Sequence, residues 1–557
     1  MTTTRMRSAV AAVSLTALAL GLSACGSGGD DDGGGSGETA AGGVTIDEAH
    51  SVGAMADFGV GTSFKATEPV DLGLMYRDHP NYPVKDDWSI FQHLEDDHGV
   101  TFDRTDVPLA DWDNKKSLLI GSGEAPELIP VTYPGQETQF VSGGAILPVS
   151  DYLEYMPNFQ DKVEKWGLQE ELDTHRQDDG KLYILPGLRE IPDVQYSVVI
   201  RDDLWKKAGV TEDPATWDEF REDLKKVQEA NPDLDYAFTD RWTDTQPLGA
   251  MLQYMGPNFG ATGGWGYDNT WFDADAGTFT FNGTSDGYKQ MLETVHGMVE
   301  DKTFDPEITQ SDDQAKQKFV SGKAAAISGN TQEITVYRQA FEDAGKDAPL
   351  RMLTLPAGPA GSNLMPSQLS SGLMISSKAA EDPHFKALLQ YVDWQYFSDE
   401  GMEFAQWGVD GETFSKGGDG VRTLNDDIGW NAINPGAPKM LNTDFGYSNG
   451  VFLLANGSSQ DLLESVMTDE VKEWTRAVLD TKEVLPVKPA AGLDEMELEQ
   501  VSLLDTQLKD AVMAATAGFV TGQRSFDDWD AYVAEIDGLG ATQLVDTFNT
   551  ALARKEG

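Results

Sequence analysis

Hydrophobic positions in this chain switch repeatedly between two periods. Residues 70–76 form a short apolar run that predicts a buried strand. Trp88, Phe91 and Leu94 then recur at helical spacing behind Asp86 and Asp87, which stand where a helix cap is expected. Gly99 stops that helix, and residues 100–102 open the next strand, giving a β-α-β start. Further on, Thr216-Trp217-Asp218-Glu219 has the form of a capping box, and Phe220, Leu224 and Val227 line one face of the helix behind it. Tyr288, Met291, Leu292, Val295 and Val299 mark a second amphipathic helix. Phe385, Leu388, Leu389, Val392 and Tyr396 mark a third. Residues 324–328 read as a strand of small residues. Helices and short apolar runs alternate throughout, so an α/β fold is expected. Asp273-Ala274-Asp275-Ala276-Gly277 resembles the start of a calcium loop but lacks the closing Glu, so a hairpin turn between Trp271-Phe272 and Phe279-Phe281 is expected.

The N-terminus follows a different pattern. Arg5 and Arg7 precede an apolar stretch, 9–22, that is too short to span a bilayer and fits a signal-peptide core. Leu22-Ser23-Ala24-Cys25 follows at once and resembles the lipobox of bacterial lipoproteins. Residues 1–24 are therefore expected to be removed, and Cys25 to carry lipid. The Gly-, Ser- and Asp-rich stretch that follows lacks apolar periodicity and is expected to act as a flexible tether, with the linker reaching to residue 65.

Charge narrows the partners. The chain of 557 residues carries 41 Lys+Arg against 93 Asp+Glu, a formal charge of −52. Such a surface repels phosphate backbones and anionic headgroups, so no nucleic-acid partner is expected, and membrane contact is expected through the lipid anchor only. The single cysteine excludes an intramolecular disulfide and a Cys-rich zinc site. No phosphate-binding Gly-rich loop or zinc-binding H-E-x-x-H is present. Neither metal nor cofactor is expected, and no catalytic residue stands out.

Seven segments in order resemble the extracellular solute-binding proteins of ABC importers, most closely the large carbohydrate-class members related to the alginate- and maltodextrin-binding proteins. These are Gly121-Ser122-Gly123-Glu124-Ala125-Pro126-Glu127-Leu128, residues 143–149, Asp179-Gly180-Lys181-Leu182-Tyr183-Ile184-Leu185-Pro186, 199–220, 319–328, 394–414 and 519–532. The resemblance implies a periplasmic-binding-protein-like fold of type II, with two α/β lobes joined by a hinge and a ligand cleft between them. It implies lobe one at 66–178 plus 370–425 and lobe two at 179–369 plus 426–557. The chain would cross near 173–196, 355–373 and 414–430. It also implies a monomeric receptor that captures a sugar or oligosaccharide and delivers it to transporter permease subunits outside the cytoplasm. An oligopeptide receptor of similar length and an anchored polysaccharide-degrading enzyme are the competing classes.

Sugars have apolar faces and polar edges, so a glycan cleft needs flat aromatic rings beside hydrogen-bonding groups. Aromatics in non-periodic loops are the candidates. Trp242 sits in the polar loop Asp240-Arg241-Trp242-Thr243-Asp244, and Trp265 lies between glycines in Gly264-Trp265-Gly266-Tyr267. The resemblance adds Tyr76 at the exit of the first strand, Asn330 after the 324–328 strand, and Trp430 beside Asn431 near the proposed third crossing. At least two of these five are expected to line the cleft.

Overall fold

The computed structural model describes residues 45–557 apart from 178, 244–246, 367, 419, 431–432, 455–456 and 557. The proposed signal segment, Cys25 and the Gly-rich tether lie outside the described residues, as do Asp244 and Asn431. Among the described residues no helix is long and apolar enough to cross a membrane.

The opening follows the expected β-α-β path. β1 (Val70–Asp78) pairs in parallel with β2 (Val100–Pro108), and Gly99 enters the turn between helix and β2 with φ +70°. The helix Ser89–Asp96 is not capped by Asp86 or Asp87, since its cap position is Trp88, without a side-chain bond. Asp86 instead pairs with Arg104 of β2 at 2.6 Å. β3 (Leu128–Thr132) and β4 (Leu185–Leu188) follow in the same sheet. The chain then passes to a second sheet through β5 (Tyr196–Arg201) and β6 (Tyr236–Thr239). The hairpin of β7 (Thr270–Asp273) and β8 (Thr278–Phe281) occupies the calcium-like segment, where the Asp273 carboxylate accepts from the backbone N–H groups of Asp275 and Ala276. β9 (Ala324–Asn330) and β10 (Leu350–Met352) complete the second sheet. The short β11 (Asn363–Leu364) pairs with Glu483–Val484, and β12 (Leu369–Ile375) returns to the first sheet.

The sheets therefore run in the orders β2-β1-β3-β12-β4 and β10-β5-β9-β6, and each carries its own core. The helix Trp217–Ala230 covers the second sheet, and the Thr216 side chain accepts from Glu219 N–H as the capping pattern predicts. The reciprocal bond goes one residue further out, from Ala215 N–H to the Glu219 carboxylate at 2.8 Å.

The two cores fix the lobes, and they correct the expected boundaries. Leu182, Leu185 and Leu188 belong to the first core, as do Leu441, Tyr447, Phe452 and Leu462. Phe452 packs on Tyr76 at 6.3 Å, Tyr447 on Phe404 at 5.4 Å, and the Tyr396 hydroxyl donates to Val451 O. Residues 179–188 and the described residues of 426–466 thus belong with lobe one. The chain leaves the first core after Leu188 and joins a core of the second sheet at Val194, and it returns between Leu364 and Leu369. The third crossing lies between Val466, packed on the first core, and Trp474 and Val478 of lobe two, rather than near 414–430. The linker also ends earlier than residue 65. Val52 N–H donates to Pro383 O, Met55 N–H donates to Gln390 Oε1, and Phe64 is buried against Tyr391.

One remote cap ties lobe one together. Asp393, within the buried helix Phe385–Phe397, accepts from Asn158 N, Asn158 Nδ2 and Phe159 N at 2.7–2.9 Å, satisfying the start of the helix Pro157–Lys165. Burial pushes its carboxyl up to about 6, against the pull of those bonds. Asp393→Ala leaves buried donors without partners and is expected to cost about 3 kcal/mol. A carboxyl whose folded pKa is raised contributes most below its unfolded value and loses that contribution as pH climbs through the folded one. The deficit of the variant, measured by urea unfolding, is therefore expected to be larger at pH 4 than at pH 7. The opposite trend would contradict this assignment.

Candidate ligand site between the lobes

Sheet polarity brings one edge of each sheet to the crossings. β4 ends at Leu188 level with the start of β12 at Leu369, and the chain leaves lobe one there. It enters lobe two at Tyr196, which lies opposite Asn330 at the end of β9. β6 runs parallel to β9, so the loop after Thr239 emerges at the same edge. Ligands of open α/β sheets collect at such carboxyl edges.

Four aromatic rings meet there in lobe two. Tyr196 stands 5.7 Å from Trp242, 5.2 Å from Trp265 and 6.5 Å from Tyr254, while Trp242 and Trp265 meet edge to face at 5.7 Å. Tyr196 remains 38% exposed, and Trp242 and Trp265 are half-buried. The glycines around Trp265 have a steric reason. A Cβ on Gly264 would lie 2.0 Å from Gly249 O, and one on Gly266 would lie 2.1 Å from Gln253 Oε1. The backbone contact at Gly264, which also has φ +59°, admits only glycine where this turn meets the helix Gly249–Phe259.

Trp242 is held from behind. Its backbone is left-handed, φ +55°, and its N–H donates to Asp312 Oδ1 at 3.0 Å. The Arg241 guanidinium stacks on the ring at 4.6 Å and donates to the Tyr337 hydroxyl (2.8 Å), with ion pairs to Asp312 (3.2 Å) and Glu333 (2.5 Å). Beneath this layer Asp240 is fully buried, and burial pushes its carboxyl up to about 7 although Ser328 Oγ and Met251 N donate to it.

Lobe one faces this wall with Tyr133, 54% exposed just beyond β3. Burial, then the Asp193 carboxylate and the Tyr133 hydroxyl, raise the Tyr196 hydroxyl above its ordinary value. A cavity of about 580 Å³ adjoins the wall and is lined from both lobes, by Gln195, Thr331 and Glu333 on one side and Trp430, Ser448 and Leu453 on the other. Among the described residues no group of three His, Cys, Asp or Glu side chains could hold a metal ion.

The five sequence candidates are thus distributed unevenly. Trp242 and Trp265 share the aromatic wall. Asn330 pairs with Tyr196 on the sheet edge, but its side-chain oxygen accepts from Gln332 N and Glu333 N and so starts the helix Glu333–Asp343. Trp430 lines the cavity from lobe one. Tyr76 does not face the cleft. It is wholly buried in the first core, beside Phe452 and Arg104, because even-numbered positions of β1 point inward. Sequence reasoning missed Tyr196, Tyr133 and Tyr254. Tyr133 precedes Pro134-Gly135, a turn signal directly after an apolar strand.

The pattern of the bacterial extracellular solute-binding proteins matches residues 81–402. No curated protein sequence matches significantly. Among solved structures, the alginate-binding protein AlgQ2, without calcium ion, has a TM-score of 0.66 at 18% identity, covering 88% of this chain and 99% of that one. An extracellular solute-binding protein from Bifidobacterium longum subsp. infantis reaches 0.67 at 16% identity with the same coverage. The S.pneumoniae ABC-transporter substrate binding protein FusA, in complex with kestose, reaches 0.62 at 19%, covering 87% of this chain and 99% of that one. These likenesses establish the two-lobed fold, and the family match spans more than half of the chain. The chain belongs to the bacterial extracellular solute-binding proteins.

Proposed function

We propose that this protein captures an extracellular sugar or oligosaccharide between its lobes and delivers it to an ABC importer, tethered to the membrane through a lipid on Cys25. The aromatic wall of Tyr196, Trp242 and Trp265, facing Tyr133 across the cleft, is the observation that carries this reading. Rings at these angles offer both faces and edges to the apolar faces of sugar rings. Gln195, Glu333 and Ser448 in the lining of the adjoining cavity offer polar groups for the edges. Two structural relatives point the same way, one an alginate-binding protein and the other in complex with kestose. The protein acts by binding and closure rather than by chemistry, with the ligand adding contacts from the second lobe as the hinge closes.

A thermal-shift screen of oligosaccharides against mixed oligopeptides tests the reading. A true ligand at 100 times its Kd adds about 2.7 kcal/mol of stability. Stabilisation by oligosaccharides is expected, and stabilisation by peptides alone would overturn the assignment. With a ligand in hand, Tyr196→Ala, Trp242→Ala and Trp265→Ala are each expected to weaken binding by about 1–3 kcal/mol, roughly 5- to 150-fold. Three variants binding like the parent would contradict the site.

The anchor is tested separately. Cys25→Ala is expected to release a folded body into the medium, as read by immunoblotting of membrane and medium fractions. Undiminished membrane retention would contradict the lipid assignment.

A further inference from the structure

Tyr133, the lobe-one ring of the site, is aimed by an irregular strand end. Thr132 of β3 lies opposite Gly372 of β12, and Ile129 lies opposite Met374. Two residues of β3, Pro130 and Val131, therefore stand against Leu373 alone, which makes a β-bulge. Val131 takes φ +54°, a left-handed backbone that a β-branched residue adopts only under constraint. Val131 and Thr132 stay buried, and Tyr133 then emerges into the cleft.

The constraint comes from a buried lysine. Lys116, on the helix Trp112–Gly121, is 2% exposed. Its Nζ donates to Val131 O at 3.3 Å and to Gln136 Oε1 at 2.7 Å. Gln136 Oε1 also accepts from Tyr133 N–H at 3.2 Å, and Gln136 N–H donates to Tyr133 O at 3.0 Å. The ammonium thus grips the chain on both sides of Tyr133. Its carboxylate neighbour Asp113, at 3.4 Å, is itself exposed. Burial lowers the ammonium pKa although Asp113 pulls the other way.

The core does not need this charge. Trp112 Nε1 also donates to Val131 O at 3.3 Å, so both acceptors of Lys116 keep another donor without it. A buried ammonium is costly, and replacing buried charge by an apolar side chain of similar volume is often neutral or stabilising. What the lysine alone supplies is the link between the bulge and the turn that carries Tyr133. We propose that Lys116 is a positioning residue of the ligand site: through Val131 O and Gln136 it holds the Tyr133 ring where a bound sugar meets it, across the cleft from Tyr196, Trp242 and Trp265. The proposal rests on the sugar reading given above.

Lys116→Met, Tyr133→Ala and the double variant test it, with Trp242→Ala as the marker of the opposite wall. Thermal shift with maltotriose, xylotriose, kestose and an alginate trisaccharide selects the probe, and isothermal titration follows its affinity. Tyr133→Ala is expected to weaken that trisaccharide about 20-fold, and Lys116→Met about fivefold. In the Tyr133→Ala background Lys116→Met is expected to change affinity by about twofold or less, because the lysine acts through that ring. The urea midpoint of Lys116→Met is expected at or above that of the parent, while the backbone amides of Tyr133, Gly135 and Gln136 exchange about fivefold faster. A lysine that only stabilises its lobe would lower the midpoint and weaken binding equally in both backgrounds, and that result would overturn the proposal. Unchanged exchange at these amides would overturn it too. If Trp242→Ala weakens binding while Tyr133→Ala and Lys116→Met do not, the positioning role fails and the sugar reading stands. Stabilisation by none of the four trisaccharides would count against the sugar reading itself and overturn the proposal with it, even where exchange is faster.

Discussion

Gln368 is the joint on which the cleft depends. Its backbone carbonyl accepts from Arg189 N–H at 2.8 Å, and its side-chain amide donates to Arg189 O and Glu190 O at 3.2 and 3.1 Å. Its own N–H, with that of Leu369, donates to the Glu171 carboxylate, whose pKa burial raises. One residue therefore binds the first crossing to the second and fastens both to lobe one. Glu190 extends the joint by accepting from Gln460 N–H at 2.7 Å, close to the third crossing. The cleft walls stand on the sheet edges that these crossings connect. The position of Tyr196 relative to Tyr133 is set by this joint, since each ring belongs to a different core.

Much of the fold was legible because it rests on local periodicity. The runs at 70–76 and 324–328, the helix behind Thr216 and the turn at Gly99 all formed where their patterns placed them. Boundaries between lobes were not legible. Leu441, Tyr447 and Phe452 carry no mark of which core they join, and only the three-dimensional path shows that they pack on Tyr76, Tyr396 and Phe404. The docking of 45–65 was equally hidden, since it rests on single contacts such as Met55 with Gln390.

The site was half legible for a similar reason. Trp242 and Trp265 stood out because no helical or strand pattern claimed them, and they meet at the sheet edge. Tyr196 was masked by a strand pattern that accommodates it as an ordinary first residue. Tyr76 lies on the inward face of β1, which alternation along the strand could have indicated. The support behind the wall is long-range. Arg241 reaches Asp312, Glu333 and Tyr337, and no local motif announces that a left-handed tryptophan will be held this way.

Ligand is expected to draw the two lobes together about the Gln368 joint. The sole cysteine is Cys25, so the body accepts site-specific labels cleanly once that residue is replaced. Leu118 on lobe one and Lys346 on lobe two are both exposed. Spin labels at Leu118→Cys and Lys346→Cys, read by pulsed electron resonance during titration with a glycan identified by thermal shift, report the separation directly. A shorter or narrower distance distribution is expected at saturation. A distribution unchanged by saturating ligand would contradict a hinged receptor.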